Sequence, residues 1–191
     1  MTTLTPRIPS SSAALDDAGL REVMSSFCTG VAVVTAAQPD GRPAGMAVQS
    51  FSSVSLDPPL VCFCPARTSS TWPKIRAAGR FAVNVLSAGQ QRLCRQFAVT
   101  GGDKFTGVDW RPGLNGAPLL DGALATVECE LADTFPGGDH VIALGRVTAL
   151  ATADRTGDTG PLLYFRRTYG RLRSSSSRSA SIASARSRSE A

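Results

Sequence analysis

The 191-residue sequence contains a single histidine, His140, and this scarcity argues against most hydrolytic active sites. A Ser-His-Asp or Cys-His hydrolase uses a histidine as its general base, and the sequence has no Gly-x-Ser-x-Gly motif to carry a nucleophile. A structural zinc site is also disfavoured, because the five cysteines show no Cys-x-x-Cys spacing. An odd number of cysteines without a secretion signal predicts reduced thiols.

Long apolar runs and glycine-rich nucleotide motifs are missing as well. No stretch reaches the roughly 20 apolar residues that span a bilayer, and residues 1–14 lack the apolar segment of a signal peptide. A cytoplasmic location is therefore expected. Neither a Gly-x-Gly-x-x-Gly fingerprint after a strand nor a Walker sequence occurs, which excludes the Rossmann and P-loop modes of nucleotide binding. Glu128 and Glu130, two apart on a predicted strand, are interpreted as a solvated face and not as a general acid/base pair. Because the side chains supply no obvious catalyst, an enzyme with this sequence would rely on a bound cofactor for its chemistry.

The net charge of +5 does not indicate a nucleic-acid-binding domain, because its distribution is uneven. Residues 171–191 hold five arginines and one glutamate, which leaves 15 basic and 14 acidic side chains in the rest of the chain. The same 21 residues include nine serines and almost no large apolar side chain, so they cannot offset the entropy of ordering. We predict a flexible N-terminus at 1–14, one domain at 15–172 and a disordered Ser/Arg-rich tail at 173–191.

Hydrophobic periodicity predicts a mainly β domain with a few short helices. Residues 16–27 read as an amphipathic helix with Leu20, Val23, Met24 and Phe27 on one face and Asp16 or Asp17 as N-cap. Short helices are predicted at 71–79 and after a capping box at residues 87–90. Strands are predicted at residues 31–35, 44–50, 60–64, 81–86, 123–131, 141–150 and 161–169. Six or seven strands with turn-rich connections favour a small antiparallel barrel over a doubly wound sheet.

The most informative segment runs from Gly45 to Trp72 and combines small hydrogen-bonding side chains with few charges. It predicts a strand, a serine-dense turn, a second strand and a hydroxyl-rich helix entry. Serines between strands are common turn residues, and hydroxyls before a helix are common N-caps. The same set also suits a ligand that needs many short hydrogen bonds and close backbone approach, such as a flavin and its phosphate.

This segment resembles the flavin-binding segment of the short-chain flavin reductases, the reductase components of two-component flavin monooxygenases. Asp103-Lys104-Phe105 and Gly137-Gly138-Asp139-His140 carry the same resemblance, in the same order along the chain. The similarity extends from about Leu20 to Leu172. It implies a six-stranded antiparallel split β-barrel with Greek-key connections that forms a homodimer with flavin at the subunit interface. It also implies an NAD(P)H:flavin oxidoreductase that reduces FMN or FAD with NADH or NADPH and supplies reduced flavin to a partner monooxygenase.

The resemblance also assigns roles to individual residues. The backbone around Ala47, Val48, Gln49 and Ser50 is expected to line the flavin ring edge, and Met46 just before it is expected to bind the flavin too. Gln49 replaces the asparagine usual in the family. Near the flavin phosphate we expect the hydroxyls and the basic-plus-aromatic pair: Ser52, Ser53, Ser69, Ser70, Thr71, Lys104 and Phe105. His140 is the expected catalytic position, where the nicotinamide docks beside the flavin, and Asp139 either orients the imidazole or caps the turn.

Two alternatives stay open from the sequence. The same barrel can belong to a flavoenzyme that retains its flavin and acts on its own organic substrate. A non-catalytic flavin-binding module, or an interaction module driven by the tail, is the second alternative. Flavin-dependent consumption of NADH separates the reductase from both.

Overall fold

The computed structural model describes residues 16–153 and 160–172, and these form a mainly β domain with short helices. The flexible N-terminus predicted at 1–14 and the disordered tail predicted at 173–191 lie outside the described residues. The helices are α1 (Asp17–Ser25), α2 (Trp72–Ala78) and α3 (Gln91–Ala98), with a 3-10 turn at Ala88–Gln90 before α3. The strands are β1 (Thr29–Gly30), β2 (Ala32–Ala37), β3 (Pro43–Val48), β4 (Ser52–Leu56), β5 (Pro59–Phe63), β6 (Arg80–Val85), β7 (Trp110–Pro112), β8 (Pro118–Leu120), β9 (Ala125–Gly137), β10 (His140–Thr152), β11 (Leu162–Phe165) and β12 (Thr168–Arg171). No helix in these two ranges is long and apolar enough to cross a membrane.

The main element is a seven-stranded antiparallel sheet in the order β3-β2-β6-β9-β10-β5-β4. Its longest part is the β9–β10 hairpin, in which each strand has 13 residues and the two are joined by Gly138 and Asp139. Gly138 has a φ of 72°, a left-handed conformation that glycine adopts without a steric penalty in such a tight turn. Two small sheets, β1-β11-β12 and β7-β8, complete the strand pairing of the described residues.

Strand β2 lies at the centre of the core because both of its faces are covered. Ala32, Val34 and Ala36 point into one apolar cluster, which includes Phe63, Phe81 and, from α2, Trp72 and Ile75. Val33 points into a second cluster with Leu86, Leu120, Leu162 and, from α3, Cys94 and Phe97. A strand buried on both faces reads as a continuous apolar run and not as an alternating one, as Val31–Val34 does.

A buried polar pair connects the central strands to β8. Asn84 and Thr35 are both fully buried, on β6 and β2. The Asn84 amide donates to the Thr35 hydroxyl over 3.1 Å and to the Val33 carbonyl over 3.2 Å, and its oxygen accepts from the Leu120 N–H over 2.8 Å. Thr35 Oγ1 donates to the Pro118 carbonyl over 2.5 Å. Each of these buried polar groups has a hydrogen-bond partner, so none adds the free-energy penalty of an unsatisfied buried group. The bonds therefore fix the position of β8 against β2 and β6.

Most sequence-based predictions of local structure agree with this fold. The mainly β antiparallel class with short helices is confirmed. The Asp16 carboxylate caps α1 by accepting from the Gly19 N–H over 2.7 Å, and the Ser87–Gln90 capping box is present. The predicted helix at 16–27 ends two residues earlier, at Ser25.

Three predictions need correction. The serine-dense turn is largely the edge strand Ser52–Leu56, because its residues pair with β5. The predicted strand 161–169 is a hairpin of two strands, turning at Arg166 and Arg167 with φ values of 45° and 62°. Glu128 is not solvated: it is 5% exposed, and its carboxylate accepts from the Asn115 N–H over 2.7 Å.

Gly45 on β3 provides a direct test of how closely α3 packs on the sheet. A Cβ at this position would lie 2.5 Å from Cε1 of Phe97, a side chain that is 1% exposed. We therefore expect Gly45→Ala to lower the free energy of unfolding by about 1–3 kcal/mol, as overpacking in a filled core does. Urea denaturation measures this change. Gly30→Ala on β1 is the matched control, because a Cβ there meets nothing within 4 Å, and an equal effect of the two substitutions would contradict the argument.

Candidate active site

Two cavities share strand β3 as a common wall. The first, of about 630 Å³, is called the Lys104 cavity and contains Gly45 of β3. The second, of about 690 Å³, is called the His140 cavity and contains the next residues, Met46, Ala47 and Val48. The first half of the strand, Pro43–Gly45, borders the Lys104 cavity and the second half, Met46–Val48, borders the His140 cavity, so β3 runs from one cavity to the other.

The His140 cavity brings together the residues predicted for a flavin ring edge. Its lining comprises Met24, Val31, Met46, Ala47, Val48, Gln49, Ser50, Cys64, Ala66, Cys94, His140 and Tyr169. All five flavin-binding residues predicted at Met46–Ser50 and His140 therefore line one cavity, although about ninety residues separate them in sequence. The lining is mostly apolar with a few polar groups, which is the usual character of a site for a flat organic ligand.

His140 is positioned by the β9–β10 turn and by the segment that follows β5. The Arg67 N–H donates to the Asp139 carbonyl over 2.9 Å, and the Val141 N–H donates to the Pro65 carbonyl over 3.0 Å. The Arg67 side chain adds a bond from Nε to the Gly138 carbonyl over 2.7 Å. These bonds hold the start of β10, and with it His140, against the wall of the cavity.

The His140 ring is oriented by its neighbour. Nδ1 of His140 lies 2.8 Å from Oδ1 of Asp139, and this hydrogen bond is the main reason that the pKa of Asp139 is lowered. An ionised carboxylate accepts a hydrogen bond and does not donate one, so Nδ1 carries the proton in this pair. The Nε2 atom is then left for a ligand in the cavity.

Ser50 has a structural contact in addition to its place in the cavity. The N–H of Cys64, just after β5, donates to the Ser50 hydroxyl over 2.8 Å. The two residues follow strands at opposite sides of the sheet order, β3 and β5. The hydroxyl therefore connects the two sides of the His140 cavity.

The Lys104 cavity brings three cationic side chains together with some of the residues predicted near a phosphate. Its lining comprises Gln38, Arg42, Pro43, Ala44, Gly45, Ser70, Thr71, Lys74, Gly101, Gly102, Asp103, Lys104, Phe105 and Thr106. Four of the seven residues predicted near a phosphate are among them: Ser70, Thr71, Lys104 and Phe105. Phe105 packs edge-to-face on Phe97, with ring centroids 5.0 Å apart, and so anchors the loop that carries Lys104.

Among the described residues, the Lys104 ammonium group has only neutral hydrogen-bond partners. Nζ donates to the Gly45 carbonyl, the Phe97 carbonyl and the Thr71 hydroxyl, each over 3.3 Å. Burial lowers the pKa of Lys104, and the nearby Lys74 ammonium lowers it further. Asp103, the acidic residue of the cavity, is engaged by the Phe105 N–H and the Thr106 hydroxyl. A half-buried cation without a carboxylate partner is the arrangement that an anionic ligand completes.

The remaining predicted residues lie elsewhere. Ser69 lines neither cavity, and its hydroxyl accepts from the N–H groups of Thr71 and Trp72 over 3.2 Å each, so it caps α2. Ser52 and Ser53 are exposed on the edge strand β4. Ser52 lines a smaller cavity beside Phe27 and Gln49, and Ser53 lines neither of the two main cavities.

Sequence reasoning did not single out several lining residues. Lys74, Arg42 and Gln38 join the Lys104 cavity, while Cys94 and Tyr169, whose Sγ and hydroxyl lie 3.3 Å apart, join the His140 cavity. Lys74 could have been found one helical turn after Thr71, because positions three apart share a helix face. The others carry no local signal, since only the folded chain places them at the cavities.

Comparison with known proteins identifies the class. Residues 24–173 match the family model described as flavin reductase like domain. The chain is 45% identical over 157 residues to a flavin reductase of Pseudomonas putida, covering 82% of this chain and 91% of that one. It is 44% identical over 156 residues to the reductase subunit HsaB of a flavin-dependent monooxygenase from Rhodococcus jostii, covering 82% and 78%.

A solved structure agrees with these matches. The NADH:FAD oxidoreductase SgcE6 of Streptomyces globisporus, in complex with NAD and FAD fragments, is 38% identical with a TM-score of 0.77, covering 84% of this chain and 94% of that one. The chain therefore belongs to the flavin reductase family. The predictions of this family and of an NAD(P)H-dependent flavin reductase are confirmed.

Proposed function

We propose that this chain reduces FMN or FAD with NADH or NADPH and releases the reduced flavin to a separate monooxygenase. The observation that carries the proposal is the shared wall of β3. It joins an apolar cavity containing the single histidine to a cationic cavity containing Lys104. A flavin has the same two parts, an apolar ring system and an anionic phosphate, linked by a short polar chain.

The donor set fits the flavin in both cavities. Around the ring position the chain offers the backbone of Met46–Ser50 and apolar side chains, which allow close approach without a competing charge. Around the phosphate position it offers the Lys104 ammonium and the Ser70 and Thr71 hydroxyls. When bound, the flavin accepts a hydride directly from the nicotinamide, so that the protein has no strong base to supply.

The role of His140 follows from this chemistry. Because no proton abstraction is required, what the site must provide is stacking geometry and a hydrogen-bond donor or acceptor beside the ring. The Asp139 carboxylate keeps the imidazole in one orientation, and His140 Nε2 serves the nicotinamide. Asp139 acts as a positioning residue, since its side chain is 85% exposed and touches His140.

The partner monooxygenase is supported by the names of relatives. The Rhodococcus jostii protein is named as a reductase subunit of a flavin-dependent monooxygenase, and the chain spans 78% of its length. A protein that hands its product to another enzyme needs an open site, and both cavities reach the surface through exposed residues such as Gln49 and Arg42. We also propose that residues 15–172 form one flavin reductase domain and that the protein is cytoplasmic.

A homodimer is supported by α1. The apolar side chains of this helix and Phe27, two residues after its end, are exposed: Leu20, Val23, Met24 and Phe27 keep 59%, 71%, 55% and 68% of their surface. Four large apolar side chains on one exposed face are typical of an interaction surface. Met24 also lines the His140 cavity, so a second copy seated on α1 would border the site. We therefore propose a homodimer of Greek-key split barrels with flavin at the interface, which sedimentation equilibrium distinguishes from a monomer.

The first prediction concerns the reaction itself. Oxidation of NADH or NADPH should be slow without added flavin and should rise with the concentration of free FMN or FAD, because the flavin is a substrate. Steady-state assays that cross the two nucleotides with the two flavins measure this. Absence of flavin-dependent oxidation in all four combinations would falsify the proposal. A rate independent of added flavin would instead support an enzyme that retains its flavin.

A second prediction concerns the phosphate. A charge-assisted contact contributes roughly 1.5–3 kcal/mol, so FMN should bind about tenfold to a hundredfold tighter than riboflavin, which lacks the phosphate. Lys104→Ala should close this gap, and Lys104→Met, which keeps the apolar stem, should do the same. Fluorescence titration measures the dissociation constants. The control is Arg92→Ala, an exposed arginine on α3 that lines neither cavity, and equal affinity for riboflavin and FMN in the unmodified protein would rule out the assignment.

A third prediction separates the two ligands at His140. Loss of one hydrogen bond costs roughly 0.5–1.5 kcal/mol, so His140→Ala should raise the nucleotide KM or lower kcat by about two- to tenfold. The flavin dissociation constant should stay nearly unchanged. Asp139→Asn should shift the same kinetic constants by less, because the imidazole remains. A large loss of flavin binding with normal hydride transfer would assign His140 to the flavin instead.

A further inference from the structure

Another cavity, of about 210 Å³, lies between α2 and the β9–β10 hairpin and is called the Arg76 cavity. Its walls are mostly apolar and are formed by Trp72, Phe135, Pro136 and Val141. Trp72 is 5% exposed and packs edge-to-face on Phe63, with ring centroids 5.8 Å apart, so this wall is held in place. The Arg76 cavity shares no lining residue with the Lys104 cavity or the His140 cavity, so it is separate from the proposed flavin site.

Both charged residues that line this cavity are positive. Arg67 and Arg76 line it without an acidic residue, and neither guanidinium has a carboxylate within 4.0 Å among residues 16–153 and 160–172. The carboxylate of Asp139, the acidic residue of the adjacent turn, is hydrogen-bonded to His140 over 2.8 Å. Two like charges at one small cavity repel each other, and an anion that lies between them is attracted by both. The cavity therefore favours a negatively charged ligand.

The guanidinium groups and the apolar walls together define the class of anion. Nε of Arg67 donates to the Gly138 carbonyl over 2.7 Å, which leaves its Nη groups for a ligand. A guanidinium matches the two oxygens of a carboxylate with parallel hydrogen bonds. Aromatic and proline walls suit a ring better than a hydrated inorganic ion. The cavity is smaller than the roughly 300–1,000 Å³ of sites for drug-sized ligands, so it fits a single ring and excludes a flavin or a dinucleotide.

Arg67 connects this cavity to the turn that carries His140. In addition to the Nε bond to Gly138, its backbone N–H donates to the Asp139 carbonyl over 2.9 Å. Val141, which lines the Arg76 cavity, directly follows His140 in β10. A ligand that orders Arg67 therefore also orders this end of the hairpin. A second ligand that uses the same turn then loses less conformational entropy when it binds.

We propose that the Arg76 cavity is a regulatory site for a small aromatic carboxylate, and that its occupation strengthens docking of the nicotinamide beside His140. The carboxylate lies between Arg67 and Arg76, and the ring packs between the apolar walls. This inference rests on the proposed function, because docking of the nicotinamide at His140 is part of that function. At low nucleotide concentration, the reductase would then consume NADH or NADPH faster when the carboxylate is present.

Binding is tested on the full-length chain without nucleotide or flavin. Calorimetric titration compares benzoate with benzamide, which has the same ring without the charge. Benzoate should bind about tenfold tighter than benzamide, because one charge-assisted contact contributes roughly this factor. Acetate, which has the charge without the ring, should also bind more weakly than benzoate. Arg76→Ala should remove most of the difference between benzoate and benzamide, and Arg76→Lys should retain part of it, since the charge stays while the planar fork is lost.

The control again is Arg92→Ala, which removes an exposed arginine that does not line the Arg76 cavity. Equal affinity for benzoate and benzamide in the unmodified protein overturns the proposal. An equal loss of benzoate binding in Arg76→Ala and Arg92→Ala overturns it as well, because the effect is then general electrostatics. Thermal unfolding of Arg76→Ala, a substitution at an exposed position of α2, verifies that the variant is folded.

The regulatory role is tested by the dissociation constant of NADH and of NADPH, measured by nucleotide fluorescence without flavin so that no turnover occurs. Saturating benzoate should lower the constant of the tighter-binding nucleotide about fivefold, at the lower end of typical coupling between two sites. Linkage requires that this nucleotide tighten benzoate binding by the same factor. In Arg76→Ala, benzoate should have no effect, and the nucleotide constant without benzoate should be unchanged.

A nucleotide affinity that is independent of benzoate overturns the regulatory role. A change in nucleotide affinity without the equal reciprocal change in benzoate affinity overturns it too, because two coupled sites cannot differ in this way. Failure of the proposed function is distinct from both outcomes, since it would appear as an absence of flavin-dependent nucleotide oxidation and not in the binding of benzoate.

Discussion

The site depends on one interaction, the half-buried ammonium of Lys104 held by three neutral oxygen atoms. The Gly45 carbonyl, the Phe97 carbonyl and the Thr71 hydroxyl come from β3, from the end of α3 and from the start of α2. One cation therefore ties together the three elements that surround the cavity. None of these three partners carries a negative charge, which is why we assign the flavin phosphate to Lys104 in the proposed function. The same group thus holds three elements together at the cavity.

Strand β3 then determines how the two halves of the site are related. Gly45 permits Phe97 and Phe105 to pack against the strand, where any side chain would meet the Phe97 ring. This close packing brings the loop that carries Lys104 to the first half of the strand, while Met46 and Ala47 in the second half border the other cavity. The buried Asn84–Thr35 pair has a comparable role further inside, since it fixes β8 against the central strands through bonds that only one arrangement satisfies. The packing at Gly45 and the Asn84–Thr35 pair each fix the position of an element, and each makes substitution at these residues destabilising.

The sequence predicted those parts of the fold and site that depend on local patterns. The helix caps at Asp16 and Ser87 were predicted because an N-cap requires one side chain and its immediate neighbours. The segment Met46–Ser50 was predicted because its residues are adjacent, and the structure places all five together with His140. The stretch Ser52–Leu56 was interpreted as a turn because serine is a common turn residue, yet pairing with β5 makes it a strand. On an edge strand, pairing with the neighbouring strand determines the backbone conformation more than the intrinsic propensities of the residues do.

By itself, the sequence determined the mainly β class with short helices, the family and the Met46–Ser50 part of the His140 cavity, because each of these rests on periodicity or on a contiguous motif. Only the tertiary structure decided which hydroxyls face a cavity. Ser69 caps α2 while Ser70 and Thr71 border Lys104, and no feature of three consecutive hydroxyls predicts that division. It also decided that Lys74 and Arg42 join Lys104, and that Glu128 is buried beside Asn115. The physical reason is distance along the chain: such contacts form between residues about 13 to 60 positions apart, and loop closure and packing bring them together, neither of which leaves a local signature.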